Sequence, residues 1–380
     1  MKLAVVGPTY PYRGGVAHFT TLLVRACRQR HQVVFHSYRR QYPRWLFPGS
    51  TAADPSAAGL REPCERLIDS LNPLTWRAVA RQIVAERPDA LLLQWWTPFW
   101  LPLSLVLTRA ARRAGIPVLF LCHQLVEPDS GGYEWPIARL ALRHADAFIS
   151  LTSVERDILA RAFPGRPVVG GFLPVFDQRA PQGIASSAAR QLLGIAADVR
   201  VILFFGFVRR YKGLRTLLDA LARLPDDVHL LIAGEFWEDE AEYRAQIARH
   251  GLTARVHIHA GYIPDEAVEP FFAASDVVAL PYLSGSQSGV GMLAVNYAVP
   301  IVVSAVGGLG EMIEDGVDGI IVPPADPGAL AAALGTTLEP AVNQRMRAAL
   351  ARLRQRRSWD ALVDLIDATL TPSPTRKDAS

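Results

Sequence analysis

Cysteine is scarce in this sequence, and no metal-binding pattern accompanies it. The three cysteines, Cys27, Cys64 and Cys122, are scattered along 380 residues and odd in number. A chain without a paired cysteine framework or zinc-ligand spacing is typical of a reducing compartment. We therefore expect a cytoplasmic protein that has neither disulfides nor a metal site.

Long uninterrupted apolar segments are also missing. The N-terminal stretch MKLAVVGPTYPYRGG has too short an apolar run for a signal peptide. Residues 90–108 carry no charge, but Gln94, Pro98 and Pro102 interrupt them. We interpret residues 90–93 as a buried strand rather than as part of a membrane span.

Positive charge is concentrated in the first third of the chain. Residues 1–125 carry 16 Lys/Arg against 6 Asp/Glu, a net charge of +10, whereas the whole chain carries only +4. No arginine-rich helix or aromatic RNA-binding signature accompanies this charge, so we expect no nucleic-acid partner. An anionic membrane surface or a phosphate-bearing acceptor fits it better.

A segment within this basic region mixes arginines with aromatic residues. Residues 37–47 contain three arginines, four aromatic residues and no acid. This composition favours a lipid interface, and the alternative is a packed loop that lines an acceptor site.

Strands alternate with helices along nearly the whole sequence. This pattern predicts an α/β protein with two doubly wound Rossmann-like domains, and 380 residues suffice for two cores. The composition changes near Gly170. We predict an N-terminal domain at 1–178, a C-terminal domain at 179–357, a helix at 358–370 and a disordered polar tail at 371–380.

Residues 275–326 form the stretch around which we expect the chain to be organised. A buried strand leads into the Gly/Ser loop 283–289, then into a helix that ends before Pro300 and a second strand. A glycine pair and a helix carrying Glu311 follow. Two helix N-termini at one edge of a parallel sheet would suit a diphosphate, although ordinary turn chemistry also places glycines there.

A cationic loop is predicted at the same sheet edge. Residues 206–213, GFVRRYKG, lie between a strand and a helix. A fixed Arg/Lys pair stabilises the charge that develops on a leaving diphosphate without a metal ion. Arg209 and Lys212 are the candidates, Arg210 is expected to face solvent, and the alternative is a solvated basic turn.

These motifs resemble a known family. The R-x-Y-K-G pattern at 209–213, together with the glycine-rich pattern at 300–326, resembles the retaining GT-B-fold glycosyltransferases of family four. The resemblance implies a donor nucleotide in the C-terminal domain, an acceptor in the N-terminal domain and a cleft between them. It also implies a last helix, beginning near residues 358–360, that crosses back to the N-terminal domain, and no cofactor or essential metal.

The resemblance also assigns site residues. His123 would face the transferred sugar, unless it is a satisfied histidine at a strand end. Gly14 and Gly15 would bring backbone amides close to the diphosphate or acceptor, unless they form a simple turn. The predicted catalytic set is His123, Arg209 and Lys212, and the predicted donor-binding set is Gly14, Gly15, Gly206, Tyr262, Ile263, Ser286, Ser288, Gly289, Val290 and Glu311.

One departure from the family concerns a pair of glutamates. The family places two glutamates at the positions that are Gly285 and Leu293 here. The nearest substitutes are the side chains of Ser286, Gln287 and Ser288 and the first amides of the following helix.

We therefore expect a retaining glycosyltransferase that moves a sugar from a nucleotide-sugar donor to a glycan or lipid-linked acceptor. We expect it to act in cell-surface polysaccharide or glycolipid biosynthesis, at the cytoplasmic face of the membrane. The alternatives are a nucleotide-sugar epimerase and a non-catalytic glycosyltransferase-like partner subunit. The sequence leaves open the sugar, the base, the acceptor, the linkage and the oligomeric state.

Overall fold

The computed structural model describes residues 1–43, 54–56, 60–125, 134–177 and 181–371. The chain divides into two compact units. The first unit comprises Met1–Asp54, Leu60–Phe172 and Ser358–Ser380, and the second comprises Pro55–Gly59 and Leu173–Arg357.

Thirteen strands are found in the described residues, and all their pairings within the two sheets are parallel. They are β1 (Lys2–Val6), β2 (Gln32–Arg40), β3 (Glu65–Asp69), β4 (Ala90–Trp95), β5 (Val118–Cys122), β6 (Ala147–Ser150), β7 (Val168–Gly170), β8 (Arg200–Phe205), β9 (Val228–Gly234), β10 (Val256–Ala260), β11 (Val277–Leu280), β12 (Ile301–Ser304) and β13 (Gly319–Val322). The first unit has the order β3-β2-β1-β4-β5-β6-β7 and the second β10-β9-β8-β11-β12-β13. The predicted fold class of two doubly wound parallel sheets is confirmed.

The helices of the described residues connect and cover these strands. They are α1 (Gly15–Arg28), α2 (Pro73–Glu86), α3 (Leu101–Arg113), α4 (Glu134–Leu142), α5 (Ser153–Ala162), α6 (Ser186–Leu192), α7 (Leu214–Leu221), α8 (Glu240–Arg249), α9 (Glu269–Ala273), α10 (Gly289–Asn296), α11 (Pro327–Thr337), α12 (Pro340–Arg356) and α13 (Trp359–Leu370). The sequence predicts helix caps at Asn72 and Thr152, and both are found: Asn72 Oδ1 accepts from the Leu74 amide at 3.1 Å, and Thr152 Oγ1 accepts from the Glu155 amide at 3.3 Å. The spacing of Thr152 and Glu155 predicts a capping box, in which Glu155 would reach back to the Thr152 amide. Instead, Glu155 Oε1 accepts from the Leu125 amide at 2.7 Å.

The central strands of both sheets are buried on both faces. In β4, for example, every residue is buried, and Leu91 and Leu92 have no exposed surface. This is why the strands read as continuous apolar runs rather than as an alternating pattern.

The last helix, α13, packs on α1 in the first unit. The rings of Phe19 and Trp359 lie edge to face with centroids 5.2 Å apart, and His31 Nε2 lies 2.9 Å from Asp367 Oδ1. Arg30 forms an ion pair with Asp364. The C-terminal helix thus returns to the N-terminal sheet.

Some elements escaped the sequence analysis. The edge strand β3 has the sequence ERLID, and its first three residues are exposed, so no apolar alternation marks it. The sequence pattern predicts a single helix at 265–273. The chain instead forms a 3-10 turn at Asp265–Ala267 and then α9, because Pro270 fits only the first turn of a helix.

Two predictions fall on residues outside the described ranges. These are residues 44–47 of the arginine-aromatic segment and 372–380 of the predicted disordered tail. Within the described ranges, none of the helices combines the length and the apolar character that crossing a membrane requires.

Candidate active site

The second unit brings two predicted loops together at the carboxyl edge of its sheet. Residues 206–213 follow β8, and residues 281–288 follow β11, which lies beside β8. The strand order reverses between β8 and β11, because β9 lies on one side and β12 on the other. Ligands of open α/β sheets bind at such a switch point.

The two loops are joined by backbone contacts. Gly213 has a φ of 71°, and a Cβ atom there would lie 1.8 Å from the carbonyl oxygen of Pro281. The Leu283 amide donates to the Tyr211 carbonyl at 2.6 Å. Only glycine permits this approach, so the glycine of the R-x-Y-K-G pattern fixes the cationic loop against its neighbour.

Lys212 is buried where these loops meet. Its Nζ lies 5.4 Å from the centre of the Tyr282 ring. A Cβ atom on Gly206 would lie 3.3 Å from this Nζ and 3.5 Å from a methyl group of Val290. The cation therefore lies at the first turn of α10, and burial lowers the pKa of its ammonium group.

Arg209 differs from Lys212 in being exposed. Its guanidinium carbon lies 5.1 Å from the centre of the Tyr211 ring and 5.5 Å from that of Trp237. Two aromatic rings thus orient this cation at the sheet edge. Arg210 is also exposed, and it lines an open pocket of about 650 Å³ together with Arg215, Glu238, Asp239 and Glu242.

Ser288 acts as the cap of α10. Its Oγ accepts from the Gly291 amide at 3.3 Å and lies 3.1 Å from Tyr282 Oη. The amides of Gly289 and Val290 belong to the first turn, where helix geometry provides no intrahelical acceptor. Burial raises the pKa of Tyr282 to about 12, so its phenol is neutral. This one side chain therefore contacts Ser288 through its hydroxyl group and Lys212 through its ring.

The loop between β11 and α10 rests on the glycine pair after β12. Gly307 has a φ of 50°, and a Cβ atom there would lie 2.0 Å from the Gly285 carbonyl oxygen. Gly285 itself has a φ of 146° and stands where the family has its first glutamate. Leu293, at the second glutamate position, is half-buried on α10, and Ser286 and Gln287 are also half-buried.

The helix predicted around Glu311 is wrong. The chain forms only a 3-10 turn at Leu309–Met312, and Ile313 is already extended. Glycines at 307, 308 and 310 give this segment a low helix propensity. Glu311 is exposed, and its carbonyl oxygen accepts from the Arg357 guanidinium.

Tyr262 and Ile263 lie at the same carboxyl edge, farther from Lys212 in strand order. They follow the edge strand β10, which β9 separates from β8. Both are half-buried, and Gly261 before them has a φ of 128°.

The remaining predicted residues lie in the first unit, at the carboxyl edge of its sheet. Gly14 has a φ of 118° and begins α1 without a side-chain cap. Cβ atoms built on Gly14 or Gly15 would meet no atom within 4 Å. Among the described residues, the space on the Cβ side of these two glycines is therefore open.

His123 follows β5 at this edge and is almost fully buried. Its Nε2 lies 2.8 Å from Gln94 Oε1, and the Gln94 amide nitrogen donates to Thr20 Oγ1 at 2.6 Å. The ring also meets Phe19 edge to face, with centroids 4.5 Å apart. Burial lowers the pKa of His123 to about 3, so the imidazole is neutral and donates its Nε2 proton to Gln94.

Sequence reasoning missed three residues that shape these sites. Tyr282 and Trp237 contact the two cations, and each follows a strand at the carboxyl edge, a position that could have identified them. Gln94 holds His123, and its signal was a polar residue inside the apolar strand β4.

Comparisons with known proteins match most of the chain to glycosyltransferases. Residues 14–170 match a family model described as a glycosyl transferase 4-like domain, and residues 199–340 match one described as glycosyl transferases group 1. A D-inositol 3-phosphate glycosyltransferase of Xylanimonas cellulosilytica is 30% identical over 292 residues, which are 70% of each chain. The corresponding protein of Streptomyces griseus is 29% identical over 313 residues, 71% of this chain and 66% of that protein.

Solved structures share the fold. The Anabaena protein HepE in complex with UDP has a TM-score of 0.73 at 21% identity, over 97% of this chain and 99% of HepE. The lipopolysaccharide outer core galactosyltransferase WaaB has a TM-score of 0.68 at 16% identity, over 97% of this chain and 99% of WaaB. The chain therefore belongs to the group 1 glycosyl transferases and is a glycosyltransferase of the GT-B fold.

Proposed function

We propose that the protein binds the diphosphate of a nucleotide sugar at the carboxyl edge of the second sheet and transfers the sugar with retention of configuration. The observation that carries this proposal is the buried Lys212, held against Gly206 at the first turn of α10. In the described part of the chain no carboxylate pairs with this ammonium group. A buried charge without a partner is costly, and a diphosphate would compensate it. HepE, which shares the fold, has been solved with UDP and with UDP-glucose.

In this proposal the loops supply charge stabilisation. As the bond between sugar and diphosphate breaks, Lys212 and the exposed Arg209 stabilise the developing negative charge, and no metal ion is required. The amides of Gly289 and Val290 add hydrogen bonds from the first turn of α10. These contacts take over part of the donor binding that the two absent glutamates would provide, with Ser288 holding the helix end in place.

The first unit would bind the acceptor. The open backbone at Gly14 and Gly15 leaves room for a polar group. The neutral, hydrogen-bonded His123 is not suited to act as a cation, and we assign it a positioning role near the transferred sugar. The interactions of Tyr262, Ile263 and Glu311 with a donor belong to the same proposal.

We further propose that the acceptor is a glycan or lipid-linked molecule reached at the surface of an anionic membrane. Leu71 and Leu74 are 55% and 69% exposed where β3 leads into α2, at the carboxyl edge of the first sheet. Exposed Arg66, Arg77 and Arg81 lie on the same two elements. Exposed leucines beside arginines fit a bilayer surface.

Turnover by the purified chain tests the proposal. UDP-, GDP- and ADP-sugars are incubated with the protein, first with water and then with candidate lipid-linked acceptors, and release of the nucleoside diphosphate is measured. We expect release with one base, loss of most of it in Lys212→Ala, and an α-linked product from an α-linked donor. Interconversion of sugars without diphosphate release would indicate the epimerase. Donor binding without any turnover across the panel would indicate the partner subunit.

A further inference from the structure

Four arginines lie near one histidine at the amino edge of the first sheet, and Arg112 and Arg143 contact its ring. Arg109 and Arg112 lie on α3, Arg143 and His144 follow α4, and Arg166 follows α5. The next strands, β5, β6 and β7, begin just after these positions. This arginine cluster, comprising these five residues, therefore lies at the opposite edge of the sheet from Gly14 and His123.

The contacts around His144 lack an acceptor. Arg143 Nε lies 3.1 Å from His144 Nε2, and Arg112 Nη1 lies 3.3 Å from His144 Nδ1. A neutral imidazole has one lone pair, and a protonated one has none. Since both guanidinium groups can only donate, no protonation state of His144 satisfies both contacts. At least one N–H group must find its acceptor elsewhere.

The charge of the cluster is uncompensated. In the described part of the chain, none of the four arginines forms an ion pair with a carboxylate. Arg166 Nη2 donates to the Arg143 carbonyl at 2.8 Å, and its guanidinium carbon lies 5.3 Å from the centre of the Phe163 ring, but Arg166 Nη1 is buried without a hydrogen-bond partner among the described residues. Partial burial and then the charges of Arg143, Arg112, Arg109 and Arg166 lower the pKa of His144.

Helix termini explain only part of this arrangement. Arg112 lies in the last turn of α3, where a cation interacts favourably with the helix dipole. That interaction does not require Arg143, which follows α4, to contact the same imidazole, or Arg166, which follows α5, to bond the Arg143 carbonyl.

We propose that the arginine cluster binds a phosphate-bearing anion at a site separate from the proposed donor site. A phosphate group offers several acceptor oxygens, and guanidinium groups bind it with paired hydrogen bonds. The proposal is independent of the proposed function, because the cluster lies in the first unit and Lys212 in the second. The anion could come from a soluble ligand or from a lipid headgroup.

The position of the cluster favours a soluble ligand. Leu71 and Leu74 lie at the carboxyl edge of the same sheet, about 15 Å away along strands of five residues. The leucines proposed to contact a bilayer are therefore at the opposite edge of the sheet from the cluster.

Calorimetry with inorganic pyrophosphate tests the site. The protein is titrated in the Lys212→Ala background, which weakens the proposed donor site, and is compared with the same chain carrying Arg143→Gln and Arg166→Gln. We expect the two cluster substitutions to weaken pyrophosphate binding at least about tenfold. Arg156→Gln is the matched control, because Arg156 lies on α5 in the same unit but pairs with Asp157.

Circular dichroism verifies that each variant is folded, and the single variant Arg112→Gln repeats the test if the double variant is not. A second arm measures binding to phosphatidylglycerol vesicles. Loss of pyrophosphate binding with unchanged vesicle binding supports a soluble ligand, and loss of both supports a phosphate on a lipid headgroup. Pyrophosphate affinity that is equal in the cluster variant and in the Arg156→Gln control overturns the proposal.

Discussion

The contact between Gly307 and Gly285 provides a test of how the loop between β11 and α10 is held in place. We call this loop the donor loop, because we propose that it contacts the donor. A Cβ atom on Gly307 would lie 2.0 Å from the Gly285 carbonyl oxygen, and such contacts are essentially never shorter than 3.0 Å. In Gly307→Ala, the loop between β11 and α10 must therefore move by about 1 Å. The substitution also places alanine at a φ of 50°, which costs about 1–2 kcal/mol.

Gly316→Ala separates these two effects. Gly316 has a φ of 73°, but a Cβ atom there would meet nothing within 4 Å. The control therefore introduces similar backbone strain without displacing the loop. The positive φ should cost both variants a similar part of their free energy of unfolding in urea, and Gly307→Ala should lose more because the loop is also displaced.

Only Gly307→Ala should impair the site. A displacement of about 1 Å at a binding site can reduce turnover by roughly 10²-fold. We expect a loss of that order in turnover and a clear loss in nucleoside diphosphate affinity by calorimetry, whereas Gly316→Ala should keep both. Equal donor affinity and turnover in the two variants would refute the idea that the glycine pair supports the donor loop.

Three further predictions concern charge and exposed apolar surface. Lys212→Ala should lower turnover by about 10²-fold or more with a smaller loss of donor affinity, whereas Arg210→Ala should not; equal effects in steady-state kinetics would count against the assignment. The pKa of His123 is lowered from 6.5 to about 3 in the folded chain. Its neutral form therefore contributes its full stabilisation above pH 6.5, and the free energy of unfolding falls by up to about 1.4 kcal/mol per pH unit as the pH decreases from 6.5 toward 3. Urea unfolding of His123→Gln should show a shallower acid decline, and an unchanged slope would contradict the buried, neutral imidazole. Leu74→Ser should weaken co-sedimentation with anionic vesicles, and binding should fall further as salt rises through about 0.15 M. Leu192→Ser is the control, because Leu192 is 71% exposed but lies in the second unit. An equal loss of binding in both variants would contradict the proposal that Leu74 lies on a membrane-binding surface.

The sequence predicted those parts of the site that depend on position after a strand. Arg209 and Lys212 follow β8, and the Gly/Ser loop follows β11, so parallel pairing alone brings them to one edge. Long apolar strands and capped helices such as α2 could also be predicted, because their sequence signals are local.

Contacts between distant segments were beyond the sequence analysis. The carbonyl of Gly285 needs a glycine at 307, and the buried amide of Gln94 joins His123 to Thr20, but neither pairing leaves a local pattern. Only the folded chain shows that the helix expected around Glu311 is a single turn, because the chain becomes extended again at Ile313.

The most direct test of the proposed donor site is calorimetry with UDP, UDP-glucose and UMP, or with the corresponding GDP or ADP series if turnover selects another base. If Lys212 and the first turn of α10 hold the diphosphate, the free nucleoside diphosphate should bind nearly as well as the nucleotide sugar. The monophosphate should bind roughly 100-fold more weakly, since a charged hydrogen bond contributes up to about 3 kcal/mol. Lys212→Ala should reduce this difference, by less than the roughly 100-fold loss expected in turnover. A monophosphate that binds as tightly as the diphosphate would show that the base and ribose carry recognition, and would contradict the assignment of this sheet edge to the diphosphate.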